Sequence, residues 1–171
     1  MIISIITAMT TNKVIGSHGD LPWKIPNELK YFRETTLNKA IIMGGNTFRS
    51  INSKPLPNRF NIVLTKSPDK FAINQLTKDY KNLSFVTNIT DSLKQAEQHY
   101  AISLLNSEIM IIGGAEIYKQ FLPLANKLYL SIIKGNYSGD IYFPEFNIEE
   151  WKLDSSEEHE EFVAKILSKI I

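Results

Sequence analysis

One construction occurs twice in this chain, and it narrows the possible folds more than any other feature. In Ala40-Ile41-Ile42-Met43 followed by Gly44-Gly45-Asn46-Thr47, a continuous apolar run meets a glycine pair and then a helix-compatible segment. The same happens where Glu108-Ile109-Met110-Ile111-Ile112 leads into Gly113-Gly114-Ala115-Glu116-Ile117-Tyr118. A short apolar run without polar alternation suits a strand buried on both faces, as in a parallel sheet covered by helices. A glycine pair at such a junction lets backbone N–H groups approach an anion, and the helix dipole favours phosphate at the same place. One Gly-Gly turn is a common feature; two such units can grip a pyrophosphate from opposite sides. Neither is the Gly-x-Gly-x-x-Gly fingerprint, and no acidic ribose ligand stands at the distance that fingerprint requires.

The other segments fit round these units. Ile2-Ile3-Ser4-Ile5-Ile6 reads as a buried strand running to about Ala8. Met9 to Asp20 is a long connection rich in glycine and polar residues, which suits a lid. It leads into Leu21-Pro22-Trp23-Lys24-Ile25-Pro26-Asn27-Glu28-Leu29-Lys30-Tyr31-Phe32. Pro26 is pre-set for a first helical position, so a helix is predicted from there to Thr35. Helical spacing puts Ile25, Glu28, Leu29, Phe32 and Thr36 in one broad stripe, with a carboxylate at the edge of the inward face. By residue type alone such a glutamate leans into solvent. Beside a stiffly held indole, Trp23, it reads instead as the wall of a pocket, where burial would raise its pKa toward a value useful in proton transfer.

Farther on, Pro55 to Arg59 is turn-prone, and Asn61 to Leu64 and Leu83 to Val86 read as strands. Ser67 to Lys81 is a polar excursion, read as a surface insertion. Asp91 to Leu105 carries a helical stripe of Leu93, Ala96, Tyr100 and Leu104, while Tyr118, Phe121 and Leu122 form a helix face that Pro123 stops. Leu128 to Ile133 is another strand, Glu157 to Glu161 an acidic turn, and Phe162 to Ile171 fits strand and helix periods equally. Buried strands alternating with helices give an α/β fold: a single domain over residues 1–171 with a central mixed, mostly parallel sheet flanked by helices.

Composition excludes several functions. The chain has 171 residues, a formal net charge of +1 and scattered basic residues, so no footprint for nucleic acid or an anionic membrane is visible. It has no cysteine, and His18, His99 and His159 share no ligand spacing, so no metal site is expected. The N-terminal apolar run is too short to span a membrane and lacks signal-peptide flanks, which makes a cytoplasmic protein the expectation.

Leu-Pro-Trp-x-x-Pro-x-Glu-x-x-x-Phe from Leu21 to Phe32, preceded by Val14-Ile15-Gly16 and followed by Ile42-Met43-Gly44 and Ile111-Ile112-Gly113-Gly114, resembles chromosomal-type dihydrofolate reductase. The match runs in order from Met1 to about Pro144 and thins beyond Trp151. The resemblance implies reduction of 7,8-dihydrofolate to 5,6,7,8-tetrahydrofolate by hydride transfer from NADPH, with Glu28 anchoring the pterin and assisting protonation of N5. It implies that Trp23 and Ser131 position Glu28 and its water, Ser131 standing where most relatives have threonine. Backbone carbonyls of Ile6 and Ile112 would border the pterin, and Ala8, on the sheet edge, would face both ligands. Phe32, Ile51 and Tyr118 would line the substrate site, and Arg59, assisted by Arg33, would take the substrate's α-carboxylate. By residue type alone, Arg59 would be a solvated loop arginine.

For the cofactor, the resemblance implies a lid carrying Ile15 and Gly16, and a cradle from Gly44 to Thr47 and from Gly113 through Ala115 and Glu116 to Ile117, with a cis bond between Gly113 and Gly114. Leu64, Thr65 and Lys66 would complete it. Relatives commonly place Arg or Lys where Gly45 and Asn46 stand; Lys66 is the candidate to meet the 2′-phosphate instead, and an arginine restored at position 45 is expected to tighten NADPH. Asp140, in Gly139 to Pro144, would brace the closed lid, and the last segment would be an antiparallel strand. A monomer is expected. The alternatives are a same-fold reductase of riboflavin biosynthesis, whose chemistry does not call for the Trp23 and Glu28 pair, and a non-catalytic pterin- or dinucleotide-binding protein. Dihydrofolate-dependent oxidation of NADPH separates all three.

Overall fold

The computed structural model describes residues 1–103 and 107–170. In chain order the elements are β1 (Ile2–Thr10), β2 (Val14–Gly16), α1 (Pro26–Thr36), β3 (Ala40–Gly44), α2 (Gly45–Ser50), β4 (Phe60–Leu64), α3 (Ile73–Asp79) and β5 (Leu83–Val86). They continue with α4 (Ile89–Ser103), β6 (Glu108–Gly113), α5 (Ala115–Phe121), β7 (Lys127–Ile133), β8 (Ile141–Tyr142), β9 (Trp151–Glu158) and β10 (Phe162–Lys169). Eight strands form one sheet in the order β5-β4-β3-β6-β1-β7-β10-β9, and β2 pairs with β8 in a separate two-stranded sheet. From β5 to β7 every neighbouring pair is parallel; β10 then runs antiparallel to both β7 and β9.

Both faces of the central strands are covered, and the strand period separates the two cores. Ile5, Ile42, Ile109 and Ile111 pack in one cluster with Ala96 and Tyr100 of α4 and Ile117, Tyr118 and Phe121 of α5. Ile6, Ile41, Met43 and Met110 pack in the other, with Phe48 of α2 and, half-buried, Phe32 of α1. Unbroken apolar runs are therefore what β3 and β6 require. The expected Leu104 contact lies outside the described residues.

Several sequence expectations need correction. The Met9–Asp20 connection is shorter than expected and contains a strand: β1 continues to Thr10, and β2 follows a turn in which Lys13 adopts a positive φ of 66°. Helix α2 begins at Gly45, so the second glycine of the pair is already helical rather than part of the turn before the helix. Ser67–Lys81 is not merely a polar excursion; it holds α3, and its sparse apolar residues Phe71, Leu76 and Tyr80 pack against the Phe48 cluster. The acidic turn is confined to His159–Glu161, because Glu157 and Glu158 extend β9, an edge strand exposed everywhere but at Trp151. Ala8 lies in an interior strand, between β6 and β7 in the sheet order, and not at a lateral edge.

Candidate active site

The carboxyl ends of parallel strands are where open α/β sheets place ligands. Here that rim is made by the C-terminal half of β1, from Ile6 through Ala8, with Gly44 in β3, Leu64 in β4 and Gly113 in β6. Above them stands Glu28 in the first turn of α1, where Pro26 starts the helix and Ile25 supplies an extended N-cap with no side-chain bond. The Glu28 side chain does not cap its own helix, and only 5% of the residue is exposed.

The half-buried Glu108 shows by contrast what is unusual about the buried Glu28. At the amino ends of the strands, Glu108 accepts from Ser4 Oγ at 2.6 Å, Lys39 Nζ at 2.6 Å and Tyr129 OH at 3.0 Å. Burial raises its pKa, but these donors outweigh burial and leave it below the usual carboxylate range. Glu28 has no cation partner among the described residues. Burial pushes its carboxyl up, and the nearby Ser131 hydroxyl lowers it only in part. A carboxylate held this way is short of a positively charged, hydrogen-bonding partner.

Its neighbours are short of partners too. The indole Nε1 of Trp23 and the hydroxyl of Ser131 are buried with no hydrogen bond, so Ser131 stands near Glu28 without meeting hydrogen-bond geometry. Trp23 is set by an edge-to-face contact with Tyr137, ring centroids 5.6 Å apart. Ser131 pairs with Ala8 in β1 on one side and with Ala164 in β10 on the other, which fixes its depth beneath α1. Tyr137 is a supporting residue that sequence reasoning missed; its lone position in a polar loop gave no periodic signal.

Tyr118 in α5 donates to the carbonyl oxygen of Ile6 at 2.8 Å, and burial pushes its phenol far up. Phe32, Ile51 and Ile112 pack half-buried against the cluster containing Ile6. Leu29, expected to face inward, is 55% exposed, so α1 buries Glu28 and Thr36 and leaves an apolar residue uncovered. Arg59 is not the solvated arginine its type suggests: it is 7% exposed and its Nε has no partner. Burial, then the nearby Arg33 cation, lowers its pKa. Neither arginine has a carboxylate partner among the described residues, so the pair is arranged for an anion.

The two strand-Gly-Gly-helix units lie side by side, with Met43 of β3 opposite Gly113 of β6. Gly44 and Gly114 are the N-caps of α2 and α5, and neither helix start has a side-chain cap. A Cβ on Gly44 would meet Ile117 at 3.0 Å, and one on Gly113, at φ 117°, would meet the Tyr118 ring. The site of a Cβ on Gly114 is 3.5 Å from Thr47 Oγ1, which brings the two helix starts together. The Gly113-Gly114 peptide bond is cis. Backbone donors without side chains in front of them fit an anionic pyrophosphate. Glu116 is exposed, so its backbone N–H is the group available to that cradle.

Beside β1 lies the β2–β8 pair, with Val14 opposite Tyr142 and Gly16 opposite Ile141. Asp140 N–H donates to the Gly16 carbonyl at 3.1 Å, and its Oδ1 accepts from His18 N–H at 3.2 Å. A Cβ on Gly139 would overlap the Gly16 carbonyl and the Val14 side chain, so only glycine allows this approach. No group of three or more His, Asp or Glu able to hold a metal occurs among the described residues, nor does any helix long and apolar enough to cross a membrane.

Comparison with known proteins agrees with this geometry. The Dihydrofolate reductase family model matches residues 2–166. The chain is 41% identical over 156 residues to the dihydrofolate reductase of Bacillus subtilis, covering 91% of this chain and 83% of the relative. Against that of Haemophilus influenzae it is 38% identical over 157 residues, covering 92% and 88%. A solved dihydrofolate reductase from Enterococcus faecalis, complexed with NADP(H) and RAB-propyl, superposes with a TM-score of 0.83 at 27% identity, covering 99% of this chain and 97% of that one. With sheet, cradle, buried carboxylate and family model in agreement over nearly the whole length, the chain belongs to the dihydrofolate reductase family, whose members are NADPH-dependent oxidoreductases.

Proposed function

We propose that this chain reduces 7,8-dihydrofolate to 5,6,7,8-tetrahydrofolate with NADPH, and that Glu28 assists the protonation of pterin N5. The observation that carries the reading is the buried, unpaired Glu28 carboxylate. A pterin ring offers an amidine-like edge of N–H donors, and charge-assisted bonds from that edge supply the partner the carboxylate lacks. NADPH, when bound, supplies the hydride, so the chain's own work is to hold two rings in register and manage one proton.

Ile6 and Ile112 offer backbone carbonyls at the pterin edge, and Tyr118 fixes the first of them. Ala8 lies beneath both rings, with Phe32 and Ile51 along the substrate and Arg59, assisted by Arg33, taking its carboxylate. A carboxyl whose pKa is raised by burial is suited to pass a proton near neutral pH, and Trp23 and Ser131, whose buried polar groups have no partner within the protein, position it and its water. The backbone from Gly44 through Gly45 and Asn46 to Thr47, and from Gly113 through Gly114, Ala115 and Glu116 to Ile117, holds the pyrophosphate. Leu64, Thr65 and Lys66 run toward the adenosine. Ile15 and Gly16, braced by Asp140, close over the nicotinamide and exclude water. The chain acts as a monomer.

The test is oxidation of NADPH followed at its absorbance band with and without dihydrofolate. Oxidation that depends on dihydrofolate is expected; saturable binding of both compounds without turnover would leave a binding protein instead.

A further inference from the structure

NADPH differs from NADH by one phosphate on the adenosine ribose, and a protein that separates the two needs a cation at that phosphate. Positions 45 and 46, at the start of α2, are glycine and asparagine and carry no charge. One turn farther along the same helix is Arg49, exposed at the surface. Its NH1 donates to Asn46 Oδ1 at 2.9 Å, and its guanidinium carbon lies 4.6 Å from the centroid of the Phe71 ring. No carboxylate pairs with it among the described residues, so most of its five N–H donors remain available. A guanidinium stacked on a ring and bonded to its own helix is oriented before any ligand arrives, which reduces the entropy lost on binding.

Phe71 itself is held firmly. It comes from the segment between β4 and α3, and its ring meets Phe48 at 6.0 Å and Phe85 at 5.4 Å between centroids. Its edge is 3.1 Å from the point where a Cβ on Gly45 would stand, and Thr65 Oγ1 is 3.4 Å from the same point. A side chain at position 45 would therefore have to displace the ring. The close approach also sets Thr65, which directly follows β4 and precedes Lys66, against the start of α2.

Resting on the NADPH-dependent reading above, we infer that Arg49, stacked on Phe71, is the specificity-determining cation for the adenosine 2′-phosphate, with Lys66 as a second charge. The inserted ring takes the space of a residue-45 side chain and serves as the platform for the arginine that replaces it.

The test uses the full chain and calorimetric titration with 2′,5′-ADP and 5′-ADP, which isolate the phosphate from the redox reaction. Arg49→Ala should weaken 2′,5′-ADP by about tenfold, the scale of one charge-assisted contact, and leave 5′-ADP unchanged. Arg49→Lys should keep part of the preference, and the salt dependence of 2′,5′-ADP binding should flatten in the alanine variant. Phe71→Leu, which keeps an apolar side chain but removes the platform, should fall between wild type and Arg49→Ala. Equal weakening of both nucleotides by Arg49→Ala, or no change in either, overturns the assignment. Failure of the wild type to oxidise NADPH with dihydrofolate would instead bring down the functional reading, and the paired titration tells the two failures apart.

Discussion

The hydroxyl of Tyr118, on α5, donates to the carbonyl oxygen of Ile6, in the middle of the sheet, at 2.8 Å. The contact ties α5, which begins at the Gly113-Gly114 pair, to the central strand β1. Tyr118→Phe removes the donor and leaves a buried carbonyl without it. The expected result is a loss of about 1–3 kcal/mol in denaturant unfolding, together with a lower kcat, because the Ile6 carbonyl is no longer held. A variant with wild-type stability and turnover would show that the bond is dispensable.

Glu28→Gln should keep the fold and lower kcat/KM at neutral pH by about 10²- to 10⁴-fold, the usual contribution of an acid–base group. Activity should recover in part in acid, where solution protonates N5. Stability should move the other way. Burial places the folded-state pKa of Glu28 above its unfolded value, so its contribution to stability is fully present below the unfolded pKa and is lost as pH rises through the folded one. The glutamine variant escapes that loss. Its Tm should exceed the wild-type value at neutral pH, and the gap should close as pH falls below the ordinary carboxylate range.

Ser131→Ala separates the hydroxyl's electrostatic effect from its packing. The hydroxyl makes no hydrogen bond in the protein, so its removal should change stability by less than about 0.5 kcal/mol. It does lower the Glu28 pKa, and without it the Glu28 limb of the pH–rate profile should move to higher pH. A profile that stays in place would remove Ser131 from the positioning of the carboxylate.

Gly139→Ala should act on the lid. The new methyl overlaps the Gly16 carbonyl and Val14, and β2 must lift from β8 to admit it. We expect kcat/KM for NADPH to fall on the order of tenfold to a hundredfold, with little change in Tm because the pair lies outside the main sheet. Steady-state kinetics beside a thermal melt checks both halves.

Where apolar pattern and backbone chemistry coincide, the sequence was readable. The runs at β3 and β6, the Pro26 helix start and the Glu28 anomaly all have local causes, and the structure brings them together. The C-terminal strand could be told from a helix only through family resemblance, because Phe162 to Ile171 satisfies both periods. β9 had no signal at all: seven of its eight residues are exposed, and its ladder to β10 supplies what its side chains do not. β2 is a strand only because Ile141 and Tyr142 return to it from far along the chain. Arg59 and Phe71 failed for a related reason, since burial of a lone arginine or a lone ring in a polar stretch is decided by what packs on it.

The isolation of the β2–β8 pair has a consequence for hydrogen exchange. Its few backbone bonds belong to no ladder of the eight-stranded sheet, whereas Ile5 and Ile6 sit in a strand bonded on both sides. Amides of the β2–β8 pair can then exchange through small local openings, while those of central β1 wait for global unfolding. Opening of the site and cohesion of the domain thus have separate free energies, and substitutions can slow or hasten the first without drawing on the second.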